Sequence, residues 1–114
     1  MSLKSTAFTQ TRRPRYSFVA RARATDVMSG KQIDGLTTHL GESGCCILTR
    51  RTPFSQGTKI LLEITRDGVS LRTHAFVVYN LKDLFMGLYF VEMPPDQVAI
   101  LAGWMKAARP SISR

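Results

Sequence analysis

From Ser17 to Thr25 the chain alternates, with Phe18, Ala20, Ala22 and Ala24 on one side and Ser17, Arg21, Arg23 and Thr25 on the other. Val19 is the one exception. Side chains on a strand point to opposite faces with a period of two, so this run predicts a half-buried strand carrying Arg21 and Arg23 outward. Ser29-Gly30-Lys31 interrupts it, and Ile33 to Leu40 forms a second, weaker strand pattern. Two glycines follow in the stretch His39-Leu40-Gly41-Glu42-Ser43-Gly44, and Cys45 to Thr49 makes a third short run. Lys59 to Thr65 alternates again, Asp67-Gly68 suits a two-residue hairpin turn, and Ser70 to Asn80 supplies the partner strand. Phe85 to Val91 closes the series, with Gly87 marking a bulge or a close backbone contact.

After Val91 the period changes. Pro94-Pro95-Asp96 is a helix-start signal, because proline is tolerated in the first turn and an acid there meets the positive end of the helix dipole. Val98, Leu101, Ala102 and Met105 then share one face at i, i+3, i+4 and i+7, with Trp104 beside them, and Pro110 ends the run. Six short strands and one amphipathic helix favour an all-β fold: a small six-stranded antiparallel barrel with a C-terminal α-helix. Barrel closure removes the exposed edges that short strands otherwise carry.

Composition narrows the picture. The chain has 114 residues, 44% hydrophobic and 21% charged, which fits one globular domain rather than two or a disordered segment. No apolar run reaches the roughly 20 residues that span a bilayer, and the start lacks the apolar core of a secretory signal, so a cytoplasmic protein is expected. Cys45 and Cys46 are adjacent and face opposite sides of a strand, which disfavours a bond between them. His39 and His74 show no metal-ligand spacing, so neither metal nor cofactor is expected.

Charge is distributed unevenly. Lys4, Arg12, Arg13, Arg15, Arg21 and Arg23 place six positive charges in residues 1–25, where no acid occurs, out of a net +8. An anionic partner for this segment follows, and arginine's planar fork suits phosphate and guanine edges better than a lysine point charge. The two glycines suggest backbone closed to residues with a Cβ, or a close approach to a ligand. Eight carboxylates form no recognisable local pair, and no GxSxG, HExxH or GxxxxGK[ST] motif occurs. The chain reads as a binder, not an enzyme.

The arginine cluster before strand one, the two-glycine bend after strand two, the run "MGLYFVEMPPDQ" and the closing helix together resemble the PilZ domain family over residues 11–108. Chain termini are the least ordered parts of most domains, so residues 1–10 are expected to form a loosely ordered arm and 109–114 a tail. The resemblance implies cyclic di-GMP as ligand, held by RxxxR and [D/N]xSxxG motifs. Carried over, these point to Arg12, Arg13, Arg15, His39, Gly41 and Gly44. The match departs at three places: Thr11 stands where the first arginine of RxxxR falls, His39 where Asp or Asn falls, and Gly41 where Ser falls. Histidine cannot pair with both guanine N–H groups, and glycine offers no hydroxyl, each loss costing about 1–3 kcal/mol. Weak or altered binding of cyclic di-GMP is the expectation.

Two other readings stand beside it. A divergent barrel of the same family could serve as a protein-interaction module without the nucleotide. A small basic barrel could bind RNA or single-stranded DNA by aromatic stacking. The alternation places most aromatic side chains inward, which disfavours nucleic acid.

Overall fold

The computed structural model describes residues 15–51 and 53–108. Its strands are β1 (Tyr16–Ser17), β2 (Arg21–Asp26), β3 (Gln32–Leu40), β4 (Gly44–Thr49), β5 (Lys59–Arg66), β6 (Val69–Leu81) and β7 (Phe85–Val91). One helix, α1 (Pro95–Ala107), follows. The expected arm 1–10, Arg12, Arg13, Pro110 and the tail 109–114 lie outside the described residues.

Pairing runs β1-β3-β2-β5-β6-β7-β4, every contact between strands being antiparallel, and β4 also pairs with β3. That last pairing closes β3, β2, β5, β6, β7 and β4 into a six-stranded barrel, as the alternation predicts. The predicted first strand is divided, since β1 and β2 lie end to end along the same side of β3. Thr37, fully buried, splices the break. Its hydroxyl donates to the Phe18 carbonyl at 2.6 Å and accepts from the Ala20 N–H at 2.9 Å. A buried backbone group without a partner is costly, so this one side chain lets the chain bend inside the barrel wall.

The inward positions are those the period selects: Phe18, Ala20, Ala22 and Ala24 from the first run, with Ile60, Leu62 and Ile64 from β5. The alanines leave room for the larger side chains opposite, which fill the small interior. The β5–β6 hairpin turns on Asp67 and Gly68, at φ 51° and 80°, the paired left-handed geometry of a type I′ turn. Between β2 and β3 the Met28 N–H donates to Asp26 Oδ1 at 2.9 Å and holds that carboxyl below its ordinary range.

The helix is rotated from its predicted orientation. Leu101 is buried, while Ile100, Trp104, Met105 and Ala108 pack against the core and Val98 stays 48% exposed. Trp104 causes the turn: its ring meets Phe18 with centroids 5.1 Å apart, and a large aromatic surface outweighs Val98 and Ala102 in the competition for burial. Arg66 lies over the same Phe18 ring at 4.4 Å. Gln97 fastens the first helical turn to the barrel by accepting the Arg72 N–H at 2.7 Å.

Candidate functional site at the β3–β4 turn

The glycine bend joins β3 to β4 at the barrel rim. Gly41 N–H donates to the Gly44 carbonyl at 2.8 Å and closes the turn, and the Ser43 carbonyl accepts from Phe90 N–H at 2.8 Å. The left-handed glycines among the described residues are Gly30, Gly57 and Gly68. Gly44 is needed for a different reason: a Cβ there would overlap the Leu88 carbonyl oxygen on β7. The close approach inferred for this glycine is therefore made by the protein's own backbone.

Strand β1 decides what stands beside the turn. Tyr16 pairs with Leu40 and Ser17 with His39, so the residue before them, Arg15, reaches the level of Gly41. His39 is half-buried, with Nδ1 3.2 Å from Thr38 Oγ1, and it pairs with Cys46 on its other side. Arg15, His39, Gly41 and Gly44 thus share one rim of the barrel; Arg12 and Arg13 lie outside the described residues.

From His39 an outward-facing row crosses the barrel wall: His39 on β3, Cys46 on β4, Gly87 on β7 and Tyr79 on β6. A Cβ on Gly87 would overlap the Cε2 and Cζ atoms of Tyr79, so that ring lies directly against the Gly87 backbone. Desolvation pushes the Tyr79 phenol upward, the adjacent Cys46 thiol adds to the rise, and the Arg15 charge pulls the other way. A second row passes from Gly44 through Tyr89 and Phe76 to Lys59, whose Nζ stands 6.0 Å above the Phe76 ring.

These rows overturn one expectation. Among the described aromatic side chains Phe18 and Phe90 are buried, whereas Phe76, Tyr79 and Tyr89 are 38%, 37% and 51% exposed. Phe76, between buried Ala75 and Val77, and Tyr89, between buried Leu88 and Phe90, stand on the outward face that alternation itself assigns, whereas Tyr79 is re-aimed by a register shift between Val77 and Tyr79. Sequence reasoning found Gly87 as a close contact but missed Tyr79 as the group that fills the space. The only signal was the tyrosine's place near the end of a long strand.

A groove of about 490 Å³ opens on the helix side of the turn, walled by Glu42, Ser43, Met93, Val98, Ala102 and Met105. The rotation of α1 leaves Val98 and Ala102 free to line it. Cys45 is buried and Cys46 half-buried, both as free thiols on opposite faces of β4. Among the described residues no cluster of His, Cys, Asp and Glu could hold a metal ion, and no helix is long and apolar enough to cross a membrane.

The fold and its rim define a small all-β barrel closed by a C-terminal helix, with its N-terminal strand laid beside a glycine turn. The chain belongs to the PilZ family: the family model described as PilZ domain matches residues 9–107. Solved structures share its fold. The PilZ domain of CeSA from a cellulose-synthesizing bacterium is 13% identical, with TM-score 0.65, covering 79% of this chain and 92% of that one. The Bacillus subtilis inhibitor of motility MotI/DgrA is 16% identical, with TM-score 0.65, covering 82% of this chain and 47% of that one. The PilZ domain of Escherichia coli YcgR with c-di-GMP is 13% identical, with TM-score 0.70, covering 84% and 88%. No sequence among the curated proteins matches this chain.

Proposed function

We propose that this chain is a non-catalytic PilZ-type receptor that binds cyclic di-GMP in an altered mode, with Arg12, Arg13, Arg15, His39, Gly41 and Gly44 as the ligand-contacting residues. The observation that carries the reading is the register of β1, which lays Arg15 alongside the Gly41–Gly44 turn. A guanidinium there can bind a phosphate or a guanine edge through paired hydrogen bonds, or stack on the base. The similar YcgR domain, whose structure was solved with c-di-GMP, supports the choice of ligand. In this reading residues 11–108 are the receptor barrel, 1–10 and 109–114 are its arm and tail, and the protein works in the cytoplasm.

Calorimetry with cyclic di-GMP tests it. A charged hydrogen bond is worth about 1.5–3 kcal/mol, so Arg15→Ala weakens binding roughly ten- to hundredfold. Absence of binding by the wild-type chain at millimolar dinucleotide ends the claim to this ligand and leaves the fold untouched.

The groove beside α1 favours a second reading, a protein-interaction module that has given up the nucleotide. A protein partner captured equally with and without cyclic di-GMP, by a chain that shows no heat with the dinucleotide, selects this reading. Steeply salt-dependent binding of a mixed-sequence oligonucleotide would instead select a nucleic-acid binder.

A further inference from the structure

Strand direction alternates around the barrel, so the connections sort to its two ends. The β3–β4 turn and the β5–β6 hairpin stand at one end, where α1 packs Trp104 on Phe18. The β2–β3 turn, the β4–β5 connection and the β6–β7 turn stand at the other, away from the candidate ligand turn. That far end is apolar at its tips and basic around them. Met28 is 90% exposed with Val27 beside it, and the β6–β7 turn exposes Leu81 and Leu84. Both turns are closed by backbone bonds, Gly30 N–H to the Asp26 carbonyl at 2.8 Å and Leu84 N–H to the Leu81 carbonyl at 3.0 Å. These bonds hold the apolar side chains on fixed projections. Lys31, Arg50, Arg51 and Lys82 are exposed in the same three connections, against only Asp26 and Asp83. Of those two acids, Asp26 already accepts from Met28 N–H at 2.9 Å and the Ser29 hydroxyl at 3.0 Å.

We propose that this end of the barrel is a peripheral docking surface for an anionic lipid bilayer. Met28, Leu81 and Leu84 enter the interface, while Lys31, Arg50, Arg51 and Lys82 face the headgroups. Neither set is sufficient alone. A few apolar side chains or a few basic ones bind a membrane weakly, and the two signals together give a useful affinity. Shape favours a bilayer over a protein partner, because a flat, deformable surface meets several separate projections at once, whereas a protein needs a matching pocket for each. The exposed apolar side chains are aliphatic and offer no ring for base stacking, which disfavours nucleic acid. Because the ligand turn stands at the opposite end, the inference is independent of the receptor reading, and a membrane-bound chain keeps that turn open to solvent.

The test is co-sedimentation of the full chain with vesicles of phosphatidylcholine, with and without phosphatidylglycerol. Binding to the anionic vesicles alone is expected, weakening as salt is raised. The basic N-terminal segment is a rival source of such binding, and a double variant that leaves every charge in place separates the two. Met28→Ser with Leu81→Ser loses roughly tenfold or more in affinity, and Arg50→Gln and Arg51→Gln each lose about fivefold. On the same vesicles the emission of Met28→Trp moves to the blue, while that of the wild type, whose Trp104 packs at the opposite end, stays unchanged. A double variant that binds like wild type overturns the proposal, since the charged segment then suffices. So does equal binding to neutral vesicles, or none to either, which leaves this end to an acidic protein. Should the double variant melt early, the Met28→Trp emission decides: a blue shift supports the docking surface, and its absence overturns it.

Discussion

Adding one methyl group at residue 44 tests the structural role of the glycine turn. In Gly44→Ala the new Cβ overlaps the Leu88 carbonyl oxygen, and it stands 3.1 Å from the Leu88 carbonyl carbon and 3.4 Å from Tyr89 Cα. All three obstacles are backbone of the paired strand, at the register Gly44–Tyr89 and Cys45–Leu88, so no side chain can swing aside. Relief requires β4 and β7 to part, which stretches the neighbouring Phe90-to-Ser43 bond. Overpacking costs about 1–3 kcal/mol and a weakened hydrogen bond about 1 more, giving roughly 2–4 kcal/mol. For a domain near 100 residues, each kcal/mol moves the midpoint by about 4–8 °C, so a fall of roughly 10–30 °C is expected. Gly103→Ala is the matched control. Nothing lies within 4 Å of a Cβ there, and alanine in a helix gains about 0.5–1 kcal/mol over glycine, a rise of a few degrees. Thermal melts followed by circular dichroism and Trp104 fluorescence read both. A Gly44→Ala midpoint within about 2 °C of wild type would refute the close-packing argument.

Two further outcomes depend on buried groups. Thr37→Val keeps the shape of the side chain but strands the Ala20 N–H and the Phe18 carbonyl where β1 meets β2. A loss of about 1–3 kcal/mol in denaturant unfolding is expected, and a neutral substitution would show that the splice contributes nothing. Burial pushes the Cys45 thiol far above its ordinary range, while Cys46 is half-buried on the outer face. At pH 8 an aromatic disulfide reagent should therefore modify Cys46 in the native protein and reach Cys45 only after denaturation. Two equivalents reacting at one rate with the folded chain would contradict that placement.

Some of the architecture could be read before any coordinates. The inward set Phe18, Ala20, Ala22 and Ala24, the Asp67-Gly68 hairpin and the Pro95 helix start all appear where the residues predict them, although the first strand itself is divided. Each depends on chain geometry over a few residues. The helix face did not, because the contest between Trp104 and Val98 for burial is settled by Phe18, some eighty residues earlier in the chain. Tyr79 escaped for a similar reason, since a single register shift in β6 re-aims it and nothing local announces that shift, whereas the outward Phe76 and Tyr89 follow the alternation of their own strands. At the turn, the glycines were legible as a need for closeness, but not the Leu88 backbone that Gly44 approaches.

A barrel of short strands, a basic N-terminal segment and a glycine turn were already dictated along the chain, because side-chain period, charge and backbone freedom are properties of neighbouring residues. Which of these features meet was left to the closed barrel. Pairing β3 with both β1 and β4 laid Arg15 beside Gly41 and drew His39, Cys46, Gly87 and Tyr79 into one row. Strand register across a closed ring is a collective property, set by every bulge around it, and no stretch of residues carries it alone.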